Sequence, residues 1–231
     1  MPNPQESKIE DFAFDYLKGY YTAQQGAKNI LVGRSEKNKQ GVSVEGLFAF
    51  RQADNALFLA TVTFKGSEHL SSILTTYKKK GLSKLRYLTP VILLVSGFLL
   101  SMRLEGGMLG LGLSVMIAFL GFVLHSILAK VYLKRKVTKL VDVLKLHQAN
   151  EQWLGISISS LTFRNNSLAN YLLKLCQRRG IGIITVGKRS KVVLVQEPRT
   201  NICRKGDFLS HYASEQSIRK AVQDDTILRV A

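Results

Sequence analysis

The chain has 231 residues, a formal charge of +17, and only two cysteines, Cys176 and Cys203. Two cysteines without metal-ligand spacing exclude a disulfide scaffold or a cysteine-rich metal site, and His69, His125, His147 and His211 are too scattered for zinc. The charge suggests nucleic-acid binding until it is divided along the chain. Residues 78–139 hold eleven Lys and Arg against Glu105 alone, residues 1–77 hold eight of each sign, and residues 140–231 hold fourteen against seven. Over half the excess therefore flanks one apolar stretch, and only the C-terminal part keeps a surplus needing another partner.

Ile9, Phe12, Ala13, Tyr16, Leu17 and Tyr20 recur at helical spacing, which predicts an amphipathic helix from about Pro4 to Gln25. Met1 to Tyr21 is polar and acidic, so no cleavable signal peptide is expected there. Asn29–Gly33 is a candidate first strand, followed by a polar loop from Glu36 to Gly41. Val42–Phe50 and Ala56–Phe64 read as strands joined by a turn at Gln52–Asn55, where Asp54 and Asn55 suit a reversal. A helix is predicted from Gly66 to Lys80.

Leu88–Met102 and Met108–Ala129 carry no charge, and Gly106 and Gly107 between them predict a tight reversal. The second run exceeds the roughly 20 residues that cross a bilayer; the first does so if Leu85–Tyr87 extend it while Lys84 and Arg86 snorkel. Lys78, Lys79, Lys80, Lys84 and Arg86 precede this hairpin, and Lys130, Lys134, Arg135, Lys136 and Lys139 follow it. Basic residues collect on cytoplasmic flanks, so a two-span membrane protein with both termini cytoplasmic is expected, its cations facing anionic lipid headgroups. His125 sits near the cytoplasmic end of the second span, which favours an interfacial role over a proton relay.

Beyond the hairpin, a helix is predicted from Leu133 to Trp153, a strand from Leu154 to Phe163, and a helix from Asn166 to Arg179 with Ser167 as cap and Gly180 as stop. Gly182–Val186 and Val192–Gln196 read as strands around a Gly187–Ser190 turn, and Asp207–Val222 as a last helix. Each soluble half has too few strands to cover a core. Residues 1–80 and 133–199 are therefore expected to build one mixed-sheet α/β domain, with 84–131 as an inserted transmembrane hairpin and 200–231 as a basic helical tail.

Three segments resemble the PD-(D/E)xK, or restriction-endonuclease-like, family. The strand from Val44 to Phe50 is similar to the family's second strand, with Glu45 where an Asp usually begins it. Thr61–Lys65 is similar to its carboxylate-x-Lys strand. Leu175–Val186 is similar to its late helix running through a Gly-Ile-Gly turn into a core strand. The resemblance implies a restriction-endonuclease-like fold in which Glu45 and Lys65 fill two catalytic places. In such enzymes two carboxylates hold Mg²⁺, which polarises a phosphodiester while the lysine positions water. Thr63 stands where the second carboxylate belongs, and a hydroxyl is a poor ligand for a hard cation. Glu68, Asp11 and Asp15 are candidate substitutes, with Glu68 the nearest in sequence. Arg178, Arg179, Lys188, Arg189 and Lys191 form a candidate basic rim for lipid headgroups or nucleic acid. The reading that follows is a membrane-anchored, nuclease-like binding or scaffolding module with a lost or weakened metal site. Its alternatives are an active Mg²⁺-dependent nuclease and a membrane scaffold that docks protein partners only.

Overall fold

The computed structural model describes residues 4–52, 54–103, 107–187, 191–203 and 206–223. Two compact units divide the chain: residues 1–75 with 138–231, and residues 76–137. The first is built on a six-stranded mixed sheet, β1 (Leu31–Lys37), β2 (Ser43–Arg51), β3 (Leu57–Thr63), β4 (Glu151–Ile156), β5 (Ile181–Val186) and β6 (Val192–Gln196), in spatial order of sequence. β1, β2 and β3 run antiparallel, β3, β4 and β5 run parallel, and β6 returns antiparallel. Thr63 pairs with Leu154 and Ala60 with Glu151, so the segments before and after the apolar stretch close a single sheet.

Helix α1 (Pro4–Gln25) covers one face. Ala13, Phe14, Leu17 and Tyr21 bury against Phe48, Phe50, Phe58, Trp153 and Ile184. Gly46 permits this approach, because a Cβ there would collide with the Phe14 ring and with Val62. On the opposite face Leu47, Ala49 and Leu59 pack with Leu209, Tyr212 and Ile218. The middle strands bury both faces, which is why they lack polar alternation. α2 (Ser67–Lys80) follows β3, and α5 (Ser167–Arg179) leads into β5.

Several boundaries differ from the sequence reading. The helix expected up to Trp153 ends at Asp142 and gives way to a 3-10 turn, Val143–Leu146, and an extended His147. Glu151 and Trp153 belong to β4, a strand buried along nearly its whole length that no alternation could advertise. The strand expected through Phe163 stops at Ile156; Ser160–Phe163 is a 3-10 turn capped by the Ser159 hydroxyl. Asn166, not Ser167, caps α5: its Oδ1 accepts from the Leu168 and Ala169 amides, each at 3.1 Å. Gly180 ends α5 in the left-handed region, at φ 71°. The single helix expected over Asp207–Val222 is a 3-10 turn, Phe208–His211, then α6 (Glu215–Gln223). Between them buried Tyr212 is extended and bridges to Asn38 beyond β1.

The second unit is a helical hairpin of α3 (Leu88–Arg103) and the first part of α4 (Gly107–Asp142). A 3-10 turn at Lys84–Tyr87 lengthens the first apolar run to 20 residues, Lys84–Arg103. Both runs are long and apolar enough to cross a membrane, and most of their large side chains, including Leu94, Leu99, Phe119 and Leu124, are exposed. The helices touch through small residues: Gly97 faces Ser114, Gly110 faces Ser101, and Gly121 faces Leu93. These pairs descend along one helix as they ascend along the other, so the helices are antiparallel. Close approach at Gly and Ser is how apolar helices associate without a hydrophobic driving force. Thr89 Oγ1 and His125 Nδ1 lie 3.0 Å apart across this seam, giving His125 a partner inside the hairpin. The reversal at Gly106, together with Glu105, lies outside the described residues.

Candidate functional site

A cleft of about 430 Å³ opens at the carboxyl ends of β3 and β4. This is the end of a parallel strand pair at which α/β sheets commonly hold ligands. Phe64 and Lys65 enter it directly from β3, and Ser157 directly from β4. Gly66, with φ 79°, turns the chain so that the first residues of α2, Ser67, Glu68 and His69, form one wall. Glu45 reaches it from β2 and Glu10 from α1.

Glu45, Lys65 and Glu68 are thus brought onto one cleft. Burial pushes the Glu45 carboxyl above the usual carboxylate range; backbone amides at Glu45 and Phe64, the Lys65 ammonium and the Thr63 hydroxyl pull it back. Glu45 Oε2 is buried with no hydrogen-bond partner. Thr63 is buried beside it and turns its hydroxyl to the Glu45 carboxyl. Of the acids on the first helix, Asp11 is bound to Arg34 at 2.5 Å and Asp15 lines a separate groove between α1, β1 and α6. The helix residue on the cleft is Glu10, which the sequence reading passed over. Its signal was its place in the stripe Glu10, Phe14, Leu17, Tyr21, which spaces it toward the buried side.

The residues present do not fit an octahedral Mg²⁺ as placed. Such an ion needs converging oxygens at about 2.1 Å, and no group of three or more His, Cys, Asp or Glu among the described residues is arranged to hold a metal. What the cleft offers is three carboxylates around one lysine and one histidine, with no covering segment among its lining residues.

The basic residues do not form one track. Arg178 and Arg179 close α5 and precede β5, which puts them at the sheet end opposite Lys65. Arg179 is engaged structurally, its Nη2 donating to Asp142 Oδ1 at 2.6 Å. Lys191 is exposed just before β6, at the cleft end of the sheet. Lys188 and Arg189 lie outside the described residues.

Two further polar sites were not foreseen. At the start of β4, Glu151 is buried between neutral donors: Tyr21 Oη at 2.7 Å and Thr200 Oγ1 at 2.8 Å, with Trp153 Nε1 donating to Tyr21 Oη at 2.6 Å. Burial raises the Glu151 pKa, the two hydroxyls lower it, and the nearby Glu197 carboxylate raises it again. His147 is also buried, with neither ring nitrogen hydrogen-bonded. Burial, with the Lys65 charge adding to it, lowers its pKa.

No family model, no curated protein and no solved structure matches this chain.

Proposed function

We propose that this is a membrane-anchored module of restriction-endonuclease-like descent that binds a partner at the membrane face and does not cleave it. The order α1, three antiparallel strands, α2, then a strand parallel to β3 agrees with the element order the resemblance implies. The observation that carries the loss of activity is Thr63 beside Glu45: the second carboxylate of the motif is replaced by a buried hydroxyl. One buried carboxylate without a second converging ligand binds a divalent ion weakly in water. The apolar hairpin, with its small-residue seam and exposed large side chains, serves as the anchor. The Lys and Arg on both flanks of the hairpin suit anionic headgroups and support a topology with both termini on the cytoplasmic side.

A second reading is favoured by Glu10 and Glu68 lining the same cleft as Glu45. If either closes on Glu45, the module is an active nuclease. The deciding experiment is a nuclease assay with Mg²⁺ or Mn²⁺ on the detergent-solubilised protein, beside Glu45→Ala and Lys65→Ala. No cleavage by the parent, with salt-sensitive retention of DNA, supports a nucleic-acid-binding module. Cleavage that both substitutions abolish overturns the proposal. Neither cleavage nor retention leaves a protein as the partner bound.

A further inference from the structure

We infer that Arg86, Tyr87 and Phe122, at the basic end of the hairpin, form a binding site for the phosphate of an anionic glycerophospholipid. The inference rests on the hairpin spanning a membrane and on nothing in the cleft. Between Glu68 and Asp142 the only acidic residue is Glu105, in the connection between α3 and α4. Arg86 stands before α3, at the other end of the antiparallel pair. Among the described residues no carboxylate pairs with it.

The Arg86 side chain turns inward. Thr89 faces His125 across the seam, so the Arg86 backbone, three residues earlier, starts from outside that level. Its guanidinium nevertheless lies 4.7 Å from the centre of the Tyr87 ring and 5.8 Å from that of Phe122, a residue further into the second apolar run than His125. Snorkelling would carry the cation the other way. The two rings stack with centroids 5.6 Å apart and make a fixed platform. Arg86 Nη2 donates to Tyr87 Oη at 2.6 Å, and Nε is buried with no acceptor. Nη1 is neither buried nor hydrogen-bonded among the described residues. Because Tyr87 Oη accepts from Arg86, its own proton is left to donate.

A cation at the edge of the hydrocarbon, compensated only by ring faces, draws an anion to it. The phosphodiester of a phospholipid is the anion present at that depth. Its paired oxygens suit a planar guanidinium beside a hydroxyl donor. The adjoining turns suit the rest of the molecule: Leu85, Leu88 and Phe119 are exposed apolar side chains along which acyl chains can lie. The hairpin register also sets Lys84 across from Lys130, both exposed. A headgroup carrying its own quaternary ammonium is repelled there, whereas one carrying only the phosphate charge is attracted.

The test uses the full chain in detergent, with lipid retention read by native mass spectrometry. Phosphatidylglycerol should be retained in preference to phosphatidylcholine, and excess inorganic phosphate should not displace it. Arg86→Gln should weaken retention about tenfold, and Arg86→Lys nearly as much, since an ammonium keeps the charge and loses the fork. Tyr87→Phe keeps the ring stack and should weaken retention about threefold. Arg135→Gln, the same charge change farther along α4, should alter it by less than about twofold. Unchanged melting of the lipid-free variants checks that the hairpin is intact. Equal retention of phosphatidylcholine, displacement by inorganic phosphate, full retention by Arg86→Lys and Tyr87→Phe, or an equal loss in Arg135→Gln would each overturn the inference. Membrane association of the parent after an alkaline carbonate wash is scored separately. Release by the wash contradicts the spanning hairpin itself, whereas a firmly held chain with any of those four outcomes contradicts the lipid site alone.

Discussion

Glu151 is held in the core by the hydroxyls of Tyr21 and Thr200, and this has a consequence for stability. Its folded-state pKa is raised by burial, so the folded protein holds this proton more tightly than the unfolded chain. Stability from this group is therefore full below the unfolded value and is lost as pH rises to the folded value, above which the loss is constant. Glu151→Gln removes that loss. Melting followed from about pH 4 to about pH 8 should show the parent falling relative to Glu151→Gln; parallel curves would contradict it. The same scale shows what the sequence revealed of the cleft. Glu45, Lys65 and Glu68 were legible because a strand-end acid, a strand-end lysine and a helix-start acid lie close in the chain. Glu10 was not, because only the packing of α1 brings it there, while its neighbour Asp11 pairs with Arg34 away from the cleft lining.

The elements differ in how openly their causes are written. Pro4–Gln25 and Val192–Gln196 match the bounds read from the sequence, one marked by a helical stripe and the other by turn residues on both sides. β4 was misread because burial on both faces erases the strand period. Its neighbour α5 was found, but the cap was displaced by one residue, since Asn and Ser are both good caps. Asn166 does more than cap: its Nδ2 donates to Leu74 O at 3.0 Å, tying α5 to α2. Asn166→Ala should therefore cost about 2 kcal/mol, more than a typical cap, as measured by chemical or thermal unfolding. A change below about 0.5 kcal/mol would show that neither bond stabilises the fold. In the hairpin, Gly97 meets Ser114 with no room for a side chain. Gly97→Leu should lower the melting temperature in detergent by an amount corresponding to about 1–3 kcal/mol, whereas Leu99→Ala, on the exposed side, should have little effect.

At the scale of the whole molecule, β3 gains its parallel neighbour only from residues that follow the apolar stretch. Residues 1–75 expressed alone should accordingly show no cooperative unfolding transition, and a sharp transition would contradict a shared sheet. Protease added to sealed, right-side-out cells should spare both termini; digestion of either would reverse the proposed sidedness. That the two flanks join was legible from strand counts, whereas the six-strand order was not, because it depends on contacts far apart in sequence. The central proposal is that a nuclease-like cleft has lost its cation through Thr63. Restoring the acid tests it most directly, by calorimetric titration of Mg²⁺ and Mn²⁺ into the parent and Thr63→Asp proteins, with melting measured alongside. The parent should bind no more tightly than roughly millimolar, and Thr63→Asp at least about tenfold more tightly, with its melting temperature raised by the ion. Tight binding by the parent that Glu45→Ala abolishes would contradict the proposal.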